Sequence, residues 1–113
     1  MDSAVPIRHG TTVSVIARAK KDGGSGFVYF VQGRKGGPVK IGYAVDPQRR
    51  LGNMSTGSPV PLKLLAAIPG DRNLEADLHR FFGVGRLHGE WFRAKTFGLF
   101  NLIDAATEEF PLG

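Results

Sequence analysis

The segment from Phe27 to Gly42 places the tightest limits on how this chain can fold. Two short runs rich in aromatic and β-branched residues, Phe27–Gly33 and Val39–Tyr43, flank Arg34–Pro38, with Gly36-Gly37 at the tip. Such runs around a glycine turn predict a β-hairpin. Each run carries a polar group that a purely structural strand does not need, Tyr29 in the first and Lys40 in the second.

The rest of the chain supplies partners for that hairpin. Asp46-Pro47 predicts a helix start, because aspartate caps free N–H groups and proline suits the first helical position. Leu51 and Met54 give that helix an inner face, and Ser55–Pro59 ends it. Val60–Pro69 reads as a third strand, with Leu62, Leu64 and Ala66 on one face and Lys63, Leu65 and Ala67 on the other. Asp71 caps a second helix whose Leu74, Leu78, Phe81 and Phe82 recur at helical period. Gly83–Gly89 reads as a loop. Ala94–Phe110 reads as a third helix, with Phe97, Phe100 and Ile103 facing inward and Gly98 weakening its middle. The implied class is α+β: a small, mainly antiparallel three-stranded sheet flanked by helices, in the order β-β-α-β-α-α.

Residues 1–25 read as a flexible basic tail, because Asp22–Gly26 is rich in glycine and no periodic apolar pattern precedes it. Val13, Val15 and Ile16 offer at most a short strand there. The folded domain is then 26–113. With 113 residues there is room for one small domain. The absence of cysteine removes disulfides and thiolate metal sites. No stretch is long or apolar enough to span a membrane, and the start lacks a signal pattern, so a cytoplasmic location is expected. The net charge is +5, and residues 26–59 hold five basic residues against one acidic. A local basic surface of this kind attracts a polyanion such as DNA. Its exposed candidates are Arg34, Lys35, Arg49 and Arg50, with Lys40 beside them.

Further polar residues follow at telling intervals. Arg50 lies ten positions past Lys40, Glu75 and His79 are one helical turn apart, and Gly89-Glu90-Trp91-Phe92 closes the series. In order and spacing these segments resemble the GIY-YIG endonuclease superfamily, and within it the phage T5 open-reading-frame and meiotically-upregulated-gene branch. Phe27-Val28-Tyr29 stands in the place of the first signature and Lys40-Ile41-Gly42 in that of the second. Glu75–Phe82 looks like the branch's Glu-x-x-x-His element. The resemblance covers about residues 26–93 and the helix after them.

That resemblance implies hydrolysis of DNA phosphodiester bonds with one Mg²⁺ or Mn²⁺. Glu75 would hold the metal, Arg50 would stabilise phosphoryl charge, and Tyr29 would take the proton of the attacking water. Lys40 would activate Tyr29 or bind a phosphate oxygen. Met54 stands where some members carry a proton carrier, which leaves His79 as the substitute. Gly42, Glu90 and Trp91 would support the site, with Glu90 only loosely placed. Marked sequence specificity would need a second copy of the chain, a partner protein or the basic tail.

Each residue also has an ordinary reading. Tyr29 fits a half-buried strand, Lys40 a solvated edge strand, and Arg50 an exposed helix face. Glu75 and His79 fit a surface i,i+4 pair, and Trp91 and Phe92 fit the core. A zinc site lacks convincing third and fourth ligands. The rival function is a catalytically inactive nucleic-acid-binding module on the same fold.

Overall fold

The computed structural model describes residues 9–112. Its elements are α1 (His9–Asp22), β1 (Gly26–Gln32), β2 (Val39–Ala44), α2 (Pro47–Thr56), β3 (Lys63–Gly70), α3 (Arg72–Phe81), β4 (Arg86–His88), β5 (Trp91–Phe92) and α4 (Leu99–Glu109). The class is α+β, but the sheet has five antiparallel strands rather than three, in the order β3-β1-β2-β5-β4. The expected three-stranded unit forms one side of it. The additions are β4 and β5, a hairpin turning at Gly89-Glu90, and β4 falls where the sequence predicts a loop. No helix among the described residues is long and apolar enough to cross a membrane.

Strand alternation divides the hairpin between two faces. Val28, Phe30, Val39 and Ile41 point into the larger core, with Ala66, Ile68, Phe92 and the apolar sides of α1, α3 and α4. Tyr29 and Val31 point the other way, into a smaller cluster with Leu64 and Ala67, against which Leu51 and Met54 of α2 pack. The β3 faces differ from simple alternation. The register shifts between Phe30 and Val31, which pair with Ala66 and Leu64, so Leu65 is an inserted residue. Such a bulge reverses the phase of the strand. Leu64 and Ala67 therefore share one face, while Ala66 joins Ile68 on the other.

The helix starts follow their caps. Asp46 accepts the N–H of Arg49 at 3.1 Å, and Asp71 accepts that of Leu74 at 2.9 Å. The last helix begins later than expected. Gly98 adopts a left-handed conformation (φ 84°) at its N-cap, so the glycine precedes the helix. Phe97 falls outside it and is 65% exposed.

The tail reading is corrected for residues 9–25; residues 1–8 lie outside the described residues. Thr11, Thr12, Val15, Ile16 and Ala19 are buried at helical spacing, and Val15, Ile16 and Ala19 belong to the larger core. Arg18 pairs with Asp77 of α3 at 2.7 Å, and Lys20 with Glu109 of α4 at 2.8 Å. The glycine run is a close fit rather than a loose linker. A Cβ on Gly24 would lie 2.3 Å from the Gly70 carbonyl oxygen, at a φ of 155°. Replacing Ile16 by alanine removes buried apolar atoms and should cost about 2 kcal/mol or more. Thermal unfolding reads this directly; a change within about 0.5 kcal/mol is what a dispensable tail would give.

Candidate functional site

The hairpin register decides which polar groups can meet. Tyr29 lies opposite Gly42 and Val31 opposite Lys40, so Tyr29 and Lys40 are diagonal neighbours on one face. Gly42 is required there because the tyrosine ring lies over it. A Cβ at that position would sit 2.4 Å from the Tyr29 hydroxyl oxygen. Tyr29 is 1% exposed, and its hydroxyl has one partner among the described residues, the sulfur of Met54 at 4.0 Å. The Lys40 ammonium lies 3.3 Å from the same sulfur. Met54 thus covers both groups from α2.

A second group of residues arrives from the other side of the sheet. Leu74 and Leu78 seat α3 on the larger core. One turn of the same helix aligns Glu75 and His79, whose nearest atoms are 3.9 Å apart. The β2–β5 pairing covers only Val39 and Lys40. At Ile41 the sheet edge therefore opens. The Ile41 N–H donates to the Glu90 carbonyl at 3.0 Å, and its carbonyl accepts from His79 Nε2 at 2.9 Å. A carbonyl only accepts, so Nε2 carries the proton, and a neutral His79 keeps its lone pair on Nδ1. The ring also packs edge-on against Phe92, with centroids 5.1 Å apart.

Glu90 joins the two groups. Its side chain lies 3.7 Å from the Lys40 ammonium, and its carboxyl lies beside that of Glu75. Donor atoms of Glu75, His79 and Glu90 all lie within 4.8 Å of one another. Burial pushes the Glu75 carboxyl above the usual carboxylate range, and neighbouring Glu90 raises it further. His79, when protonated, and the positive charge of Arg72 oppose the shift. Two crowded carboxylates form a donor set that fits a hard divalent cation.

The expected site residues therefore divide. Tyr29, Lys40, Gly42, Glu75, His79 and Glu90 converge where the sheet edge opens. The surface-pair reading of Glu75 and His79 fails, since their side chains are 13% and 21% exposed. The edge-strand reading of Lys40 fails as well. β2 is an interior strand, and the Lys40 side chain is 14% exposed, so it is not part of an open basic surface. Arg50 is not joined to them by any side-chain hydrogen bond or ion pair among the described residues; it is exposed on α2, one turn before Met54. Arg34, Lys35 and Arg49 are exposed. Glu90 was the least securely placed residue in the sequence, yet it forms the bridge. Nearby Arg86 donates to the Gly89 carbonyl at 2.8 Å. Met54, in the place where some family members carry a proton carrier, is the shared contact of Tyr29 and Lys40.

The T5orf172 domain profile matches residues 26–108. No curated protein and no solved structure matches the chain.

The raised Glu75 pKa has a consequence for stability. Below the ordinary carboxylate pKa its stabilising contribution is fully present, and it is lost as pH rises through the raised value. Glu75→Gln keeps the shape and removes the charge. In chelator at neutral pH the variant should melt higher than the unaltered protein, and the difference should close toward acid pH. Thermal unfolding at both pH values measures it.

Proposed function

Because the chain belongs to the T5orf172 domain family, we propose that it is a metal-dependent DNA endonuclease of the GIY-YIG type. The observation that carries this reading is the approach of the Glu75–His79–Glu90 cluster to Lys40, which shares the Met54 sulfur with Tyr29. A cation site, a fixed ammonium and a phenol side by side suit phosphodiester hydrolysis. Glu75, with Glu90 beside it, would hold one Mg²⁺ or Mn²⁺, and the bound ion would supply charge stabilisation to a phosphoryl group.

The chain's own residues do the rest. Lys40 sets a positive charge beside the incoming phosphate. Tyr29, as its phenolate, takes a proton from the attacking water while the water oxygen bonds to phosphorus. The bond from phosphorus to the leaving oxygen then breaks, and that oxygen takes up a proton from solvent. Met54 must move for the Tyr29 hydroxyl to reach that water, and its unbranched side chain is suited to doing so. Arg50 reaches the phosphate from α2 once DNA is bound, with a planar fork that matches two oxygens. His79 holds α3 against the Ile41 carbonyl and so keeps Glu75 in register with Lys40.

A second reading, a nucleic-acid-binding module without catalysis, is favoured by two observations. Tyr29 is covered, and exposed Arg50 has no side-chain partner among the described residues. Incubation with supercoiled plasmid separates the two readings. The nuclease reading expects nicking that needs Mg²⁺ or Mn²⁺ and is absent in Glu75→Ala. Arg50→Ala should slow it by about 10²–10³-fold, the usual effect of losing one preorganised donor. Tyr29→Phe should abolish cleavage while preserving packing. No metal-dependent cleavage of any DNA by the unaltered protein would decide for the binding module.

A further inference from the structure

Trp91 and Phe92 are adjacent in β5, so strand alternation sends them to opposite faces. Phe92 is fully buried in the larger core. Trp91 lies across from Lys40 in the β2–β5 pair and remains half-buried on the other face. There it lines an open groove of about 490 Å³, together with Arg34, Lys40, Asn53, Met54 and Leu62. The volume is in the range of sites that hold small organic groups.

The chemistry of this groove is mixed in an instructive way. Met54 and Leu62 give it apolar surface, Trp91 an aromatic face and Asn53 an amide with both donor and acceptor. Arg34, exposed at the hairpin loop, places a guanidinium on its wall, and Arg49 lies one helical turn before Asn53. An apolar peptide would leave these cations without a role. Duplex phosphates would leave the indole without one, because paired bases keep their faces stacked. An unpaired nucleotide uses all of it: a π-face for Trp91, a polar base edge for Asn53 and a phosphate for Arg34. Lys40 and Met54 belong both to this groove and to the Tyr29–Glu90 cluster. A nucleotide lodged here would therefore lie next to a phosphate held at that cluster.

We propose that the Trp91 groove is a subsite for one unstacked nucleotide, and that the preferred substrate class is DNA with unpaired bases: single strands, overhangs or flaps. This rests on the nuclease reading for the position of the scissile phosphate, but binding at the groove does not require cleavage.

The chain has a single tryptophan, so its fluorescence reports on this groove. The unaltered protein in chelator is titrated with a short oligothymidylate and with a duplex of equal length. The single strand should quench the fluorescence and bind at least about tenfold more tightly than the duplex. Anisotropy of labelled oligothymidylate should show about tenfold weaker binding to Trp91→Leu, whose fold is checked by circular dichroism. Asn53→Ala, an exposed change, should also weaken it and serves if Trp91→Leu does not fold. Equal affinity for duplex and single strand, no binding of either, or unchanged affinity in both variants overturns the proposal. Single-strand preference in a protein that cleaves no DNA would overturn the nuclease reading and leave the subsite standing.

Discussion

The peptide unit of Ile41 is the constraint on which the rest of the candidate site depends. Its N–H is held by the Glu90 carbonyl and its C=O by His79 Nε2. One bond fixes the turn that carries Glu90, and the other fixes the helix that carries Glu75. Between them they occupy the main-chain groups that a longer β2–β5 ladder would have used. A buried peptide left unpaired costs free energy comparable to a lost hydrogen bond. Ending the ladder at Lys40 is tolerable because α3 supplies the missing donor. The same shortening lets side chains from the two faces of the sheet meet at its edge.

The meeting has an electrostatic logic. Lys40 comes from the face covered by α2, and Glu75 from the face covered by α3. Glu90 touches both. Glu90 therefore balances the Lys40 ammonium on one side while destabilising the charged form of Glu75 on the other. A divalent cation would relieve that crowding without displacing Lys40. Met54 closes the opposite side, so it covers the Tyr29 hydroxyl and part of Lys40.

How much of this could be read from the sequence depended on the kind of signal. The hairpin, the Asp46 and Asp71 caps and the Glu75–His79 spacing are local features, and local chemistry was sufficient for them. The α1 helix was hidden because its buried stripe begins with Thr11 and Thr12, which do not look apolar, and because Asp22–Gly26 resembles a linker. The phase of β3 was hidden by the Leu65 bulge, which no alternation rule can anticipate. The β4–β5 hairpin is too short to show a period, yet it puts Trp91 and Phe92 on different faces. The bridging position of Glu90 is set by long-range pairing of Trp91 with Lys40. The basic residues were legible as a set, but their division was not: Lys40 is enclosed, while Arg34, Lys35, Arg49 and Arg50 are open to solvent.

The central claim is that one divalent cation, held by Glu75, shares a cleft with Lys40, Tyr29 and Met54. Paramagnetic Mn²⁺ tests this without DNA or turnover. Sub-stoichiometric Mn²⁺ added to protein with labelled methionine methyl and tyrosine ring positions should broaden the Met54 and Tyr29 resonances. The effect should vanish in Glu75→Gln with its fold intact. Undiminished broadening in that variant, or Met54 and Tyr29 signals untouched by Mn²⁺ in the unaltered protein, would contradict the account.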